Sequence, residues 1–141
     1  MINSDLLFLM NINKLQSIIA RKFDSLSVHG LSFNDFVILY VLYNSSESKM
    51  RRIDLAEKIG LTASGITRLL NPLEKIGLVS REANERDARV SYVVITETGK
   101  KVFEEAKVTA ENVTKDIFPM KKNKSLQTMN DLLFELGGNI Q

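Results

Sequence analysis

The stretch "LAEKIGLTASGITRLLNPLEKIGL", Leu55 to Leu78, holds two apolar stripes at helical spacing, each closed by a glycine. Leu55, Ala56 and Ile59 mark one face of the first, and Gly60 stands where a helix needs a left-handed stop. Only Leu61 and Thr62 intervene before the second, whose stripe is Ile66, Leu69, Leu70, Leu73 and Ile76 and whose end is Gly77. Thr62 is its natural N-cap, because a hydroxyl there accepts from an otherwise unpaired amide of the first turn. Two short helices joined by a tight glycine-containing turn form the helix-turn-helix pattern.

With that stripe facing inward, the start of the second helix shows solvent Ala63, Ser64, Thr67, Arg68 and Asn71. These side chains are small or hydrogen-bonding, with one arginine and no Lys/Glu pair. Such a face suits a helix in a DNA major groove: small residues allow close approach, Arg reads guanine, and Asn or Thr reads adenine or phosphate. The candidate contacts are Thr62, Ser64, Thr67, Arg68 and Asn71, with the free amides of the helix start available to a phosphate. The same residues also suit an ordinary exposed helix with a Ser/Thr-rich first turn. Pro72 lacks the amide that would bond to the Arg68 carbonyl, so a bend or a solvent-side position is expected there.

Working outward, Lys49, Arg51 and Arg52 precede the pair, either as phosphate contacts, which need charge more than register, or as a solvated cluster. Downstream, "LVSREA" and "RVSYVVIT" read as antiparallel strands around the loop "EANERDAR", Glu82 to Arg89. A hairpin after a recognition helix is a wing, and Arg86 and Arg89 at its tip can enter a narrow minor groove. Asp87 repels phosphate, so its role there is to pair with a neighbouring arginine. Alone, it would be a surface ion pair worth at most about 1 kcal/mol.

The flanks are helical. Phe8, Ile12, Leu15, Ile19, Phe23 and Leu26 predict about five turns ending at "VHGLS". Ser32 caps a second helix, apolar at Phe33, Phe36, Val37, Leu39, Tyr40 and Tyr43 and so expected to be central and buried, and "NSSES" ends it as a loop. Thr96 or Thr98 caps a helix with Val102, Ala106, Val113 and Ile117, running to Pro119. Leu126, Met129, Leu133 and Leu136 mark a last one before "GGNIQ". The fold class is mainly α with a small β-hairpin.

Composition narrows the function. The 141 residues hold no cysteine, which removes disulfides, thiolate metal sites and cysteine redox sensing, and fits a cytoplasmic location. "LLFLM" near the N-terminus is too short for a membrane span and lacks the flanks of a signal peptide. One histidine, no phosphate-binding glycine loop and no metal-ligand cluster argue against an enzyme, and neither metal nor cofactor is expected; His29 reads as a helix-end or interface residue. Net charge is only +2, but residues 49–101 carry eleven Lys/Arg against seven Asp/Glu, about +4, between ends near −1 each. That modest local basicity is a weak polyanion footprint.

Leu55 to Lys100 resembles the DNA-binding lobe of MarR-family transcriptional regulators. The resemblance rests on the Leu-Ala-Glu helix, the Thr-Arg-Leu-Leu helix, "LEKIGLV", an Asp-x-Arg wing and "T-E-x-G" after the last strand. It implies a single domain over 1–141, with 31–101 as the winged helix-turn-helix lobe and 1–30 and 102–141 as dimerisation helices. It also implies a homodimer on a pseudo-palindromic double-stranded operator, with a recognition helix in each major groove and the wing positions Asp87 and Arg89 at the flanking minor grooves. Ala88 departs from the family's common Asp-Arg-Arg, and Arg86 stands ready to supply the missing cation. A repressor released by a small aromatic or anionic effector is the implied mode. The competing reading is a winged helix recruited to bind protein, which the low net charge suits.

Overall fold

The computed structural model describes residues 1–118 and 123–141. Helix α1 (Ser4–Lys22) begins at Asn3, whose side-chain oxygen accepts from the Leu6 amide at 2.8 Å. It stops before the end of its apolar stripe, because Asp24–His29 tighten into a 3₁₀ turn closed by Gly30 at φ 75°. The i, i+3 step is common to both helix types, so spacing alone does not separate them. The tighter turn drives Phe23 and Leu26 into the core and stacks Phe23 on Phe33 at 4.3 Å. His29 ends the turn, its Nε2 lying 2.8 Å from Thr109 Oγ1.

Helix α2 (Phe33–Tyr43) starts with a reciprocal capping box between Ser32 and Asp35. It is the central helix, as expected from its apolar circumference, with Ile38, Leu39, Val41 and Leu42 buried. Of the residues that suggested this, only Leu39 is fully buried; Phe36, Tyr40 and Tyr43 are half-buried on a second face. After a short 3₁₀ turn at Ser46–Ser48 comes an element absent from the sequence reading, strand β1 (Lys49–Arg51). Three residues are too few for a period-two pattern to register; β1 exists because its partner strand has a free edge.

Helices α3 (Arg52–Ile59) and α4 (Ala63–Lys75) form the helix-turn-helix. Gly60 takes φ 82°, and the Leu61 amide donates back to the Ala56 carbonyl at 2.8 Å. Leu55, Ala56, Ile66, Leu70 and Leu73 are buried and Leu69 partly so, but Ile76 is 56% exposed. The helix has ended by then, and Gly77 at φ 78° turns the chain so that Leu78 and Val79 take the buried places instead.

Strands β2 (Val79–Ala83) and β3 (Ser91–Ile95) pair antiparallel, and the sheet order is β1-β3-β2. Val79 lies opposite Ile95, and Lys49 opposite Val94. Helix α5 (Glu97–Ile117) is capped by Thr96, whose hydroxyl accepts from the Gly99 amide at 2.9 Å. Its buried face is Gly99, Phe103, Ala106 and Ala110, with Val102, Val113 and Ile117 only half-buried. Small residues let the helix approach the core where Val and Ile had been expected to fill it. The expected stop at Pro119 lies outside the described residues.

Helix α6 (Asn123–Glu135) follows, and the chain then folds back so that Ile140 packs on the core edge. Large apolar side chains are exposed on both terminal helices: Leu6, Leu7, Leu9, Met10 and Leu15 on α1, Met129, Leu133 and Phe134 on α6. No described helix is long and apolar enough to cross a membrane.

Candidate nucleic-acid interface

The outer face of α4 follows from its cap and its stripe. Thr62 Oγ1 accepts from the Gly65 amide at 3.0 Å, fixing the start of the helix, and Ile66, Leu70 and Leu73 fix its rotation. Ala63, Ser64, Arg68 and Asn71 are thereby left exposed. Arg68 has no acid within ion-pair distance among the described residues. Thr67 differs: it is half-buried, its hydroxyl donates to the Ala63 carbonyl at 3.0 Å, and it accepts from Arg52 at 2.7 Å. Thr62 is likewise spent mainly on capping, with Ser64 Oγ 3.2 Å from it. Pro72 is exposed, so its missing amide falls on the solvent side.

The three upstream cations are separated by the fold rather than clustered. Lys49 sits in β1 and reaches over the Tyr92 ring, 4.9 Å from its centroid, to Glu82 at 2.8 Å on the far strand, with Glu47 at 3.3 Å. The Glu82 carboxylate, then Glu47, holds the Lys49 ammonium pKa above its usual value. Arg51 pairs with Asp54 through two hydrogen bonds, 2.8 and 3.1 Å, which keep the Asp54 carboxyl below its usual range. Arg52 is the first residue of α3, not a residue before it, and turns inward to Thr67. Lys49 and Arg51, two apart in a strand, share a side but take different carboxylates, and Arg52 is separated from both because α3 starts at once.

The wing tip is built by side chains capping its own backbone. Asn84 Oδ1 accepts from the Arg86 amide at 2.8 Å, and Asp87 Oδ1 from the Arg89 amide at 3.0 Å. Asp87 also takes the Arg89 guanidinium, Nε to Oδ1 at 3.2 Å and Nη2 to Oδ2 at 3.4 Å. The guanidinium first, then the amide, holds the Asp87 carboxyl below its ordinary value. Arg89 nevertheless remains 92% exposed along its side chain, so the brace orients it outward. Ala88 and Arg86 are exposed beside it, and no acid lies within ion-pair distance of Arg86 among the described residues.

Recognition helix and wing are joined by a contact that sequence reasoning quoted only as a motif, "T-E-x-G". Thr96 Oγ1 donates to the Gly77 carbonyl at 2.6 Å, and the Thr96 amide to the Leu78 carbonyl at 3.0 Å. A Cβ at Gly99 would collide with that same Leu78 oxygen and come within 2.8 Å of Ile95 Cγ1. The end of α4, the base of the wing and the start of α5 therefore meet at one glycine.

A second feature went unread: a cavity of about 400 Å³ between α2 and α5, lined by Phe23, Phe33, Phe36, Tyr43, Phe103 and Lys107. Phe36 and Tyr43 flank Phe103 at 5.2 and 4.8 Å. Tyr43 donates to Glu104 at 2.7 Å, a bond that raises the phenol pKa. The aromatic side of α2 was its available signal, but that pattern equally describes a core. No group of metal-binding side chains is present among the described residues.

Residues 22–106 match the family described as transcriptional regulator SarA/Rot. The HTH-type transcriptional regulator YdgJ of Bacillus subtilis is 28% identical over 132 residues, 94% of this chain and 76% of that protein. Among solved structures, AbsC, a MarR family regulator from Streptomyces coelicolor, superposes with a TM-score of 0.82 at 22% identity, over 97% of this chain and 94% of that one. Sco3205 from the same organism, solved in complex with DNA, gives 0.83 at 17% identity, over 97% and 88%. These relatives are transcriptional regulators, not enzymes. The chain accordingly belongs to the SarA/Rot family of transcriptional regulators and has the winged helix-turn-helix fold of the MarR family regulators.

Proposed function

We propose that the protein binds a pseudo-palindromic operator as a homodimer and represses transcription there, with α4 of each subunit in a major groove and each wing in a flanking minor groove. The observation that carries this is the pairing of two exposed surfaces. Ser64, Arg68 and Asn71 are exposed on one face of α4, and Arg89 is held outward by Asp87 at the wing tip. One surface is fit for base edges and the other for a narrow groove. Lys49 and Arg51 supply at most diffuse attraction, since each faces a carboxylate with its side chain only 24% and 49% exposed, against 92% for Arg89. The exposed apolar residues of α1 and α6 are the surfaces we assign to the dimer, because contiguous apolar faces of this kind mark association.

The cavity between α2 and α5 is the site we assign to a releasing effector, with rings to stack an aromatic body; Lys107 at its edge pairs with Glu111 at 3.7 Å and would exchange that partner for an anionic group. Two structural neighbours carry ligands: CouR from Rhodococcus jostii, bound to p-coumaroyl-CoA, and the organohalide-sensing RdhR, bound to 2,4-dichlorophenol. Selection of bound fragments from genomic DNA, followed by titration across salt, tests the reading. A specific site whose affinity falls steeply with salt supports it; absence of any shifted fragment at low salt would favour a protein-binding module instead.

A further inference from the structure

Arg52 is half-buried, and its Nε is enclosed by protein without a hydrogen-bond partner. No carboxylate lies within ion-pair distance of it among the described residues, although Arg51 beside it has Asp54. Among the described residues its one side-chain hydrogen bond is Nη1 to Thr67 Oγ1, across the two helices of the motif. An enclosed N–H left without an acceptor is destabilising. The consequence appears at Thr67. A hydroxyl has one proton and two lone pairs; here the proton goes to the Ala63 carbonyl and one lone pair to Arg52.

We infer that Arg52 is a positioning residue for base recognition: by donating to Thr67 Oγ1 across the helix pair it holds the hydroxyl turned toward α3, with the proton on the Ala63 carbonyl, and leaves the methyl group as the reading element. This rests on α4 being the groove helix, and it narrows what that helix accepts. Guanine offers only acceptors, N7 and O6, on its major-groove edge, and a threonine without a free proton cannot satisfy them. Thymine offers a C5-methyl, which packs against a methyl. A hydroxyl turned toward α3 also offers no acceptor to the adenine or cytosine amino groups, so the position opposite Thr67 in each half-site is assigned to thymine, selected by apolar contact. Arg52 itself touches no phosphate.

The test uses the full-length protein and an operator selected from random duplexes by the wild type. Each thymine is replaced in turn by deoxyuridine, which lacks only the methyl. The wild type should lose about fourfold in affinity at one thymine per half-site, the amount expected from one methyl-sized group returned to water. Thr67→Val should keep that discrimination, Thr67→Ser should abolish it, and Arg52→Met should weaken it, with Arg52→Lys restoring part. The salt dependence of binding should keep its slope in Arg52→Met, whereas loss of a phosphate contact would lower it by about one. A lowered slope with unchanged thymine preference overturns the assignment, as does Thr67→Ser that still discriminates. Should Arg52→Met fail to fold, Arg52→Ala read at the same thymine takes its place, and full discrimination in either variant overturns the role of Arg52 whatever the Thr67 variants show. If no duplex is selected at all, it is the groove reading of α4 that fails, an outcome distinct from selection without thymine discrimination.

Discussion

Replacing Gly99 by alanine tests the joint on which the interface depends. A Cβ there has no room: it collides with the Leu78 carbonyl oxygen, which the Thr96 amide already holds at 3.0 Å, and it presses on Ile95 Cγ1 at 2.8 Å. Neither neighbour is a flexible tip, one being backbone and the other a buried strand residue. Overpacking of this kind costs about 1–3 kcal/mol, and pulling the Leu78 carbonyl off the Thr96 amide about 1 kcal/mol more. Against this, alanine is the better helix former by about 1 kcal/mol. The net expectation is about 1–3 kcal/mol of destabilisation. Urea unfolding at a single protein concentration measures it, since association itself shifts apparent stability. Operator affinity should fall as well, because Leu78 lies in the turn that leads from α4 into the wing. Thr96→Ser, which keeps the hydroxyl, should unfold close to the wild type. If Gly99→Ala were as stable as the wild type or more so, the helix-propensity gain would be unopposed and the proposed close approach would be wrong.

Arg89→Ala should weaken operator binding about tenfold or more while gel filtration shows an unchanged assembly; unchanged affinity removes the wing from the interface. Arg68→Ala should relax base preference at one position per half-site and cost roughly tenfold, read by reselecting operators with the variant. The Asp87 carboxyl is depressed, so the order it lends the wing is fully present above the ordinary aspartate range and is lost only as pH falls through the lower folded value. The Arg89 amide resonance should thus titrate with a midpoint below that of free aspartate, and a midpoint at or above it contradicts the brace. Leu9→Glu on α1 should shift the protein toward monomer in analytical ultracentrifugation and abolish operator binding; a dimeric variant would move the interface elsewhere.

The helix-turn-helix was legible because its determinants are local. Capping by Thr62, stopping at Gly60 and Gly77, and the inward stripe of Ile66, Leu70 and Leu73 each involve residues a few positions apart. The wing was legible for the same reason: Asp87 caps and pairs within two residues. The rotation of α4 then followed, and with it the exposure of Ser64, Arg68 and Asn71. What stayed out of reach depends on distant partners. Strand β1 exists only because β3 offers an edge more than forty residues later. Lys49 and Arg52 looked alike in sequence, yet one crosses a sheet to Glu82 and the other crosses a helix pair to Thr67. Phe36 and Tyr43 line a cavity only because α5 brings Phe103 between them. Periodicity and capping are encoded by near neighbours, and so the sequence by itself determined the helices, the hairpin and the exposed face of α4. Which side chains are already occupied is set by contacts across tens of residues, and that was decided only when the chain closed on itself.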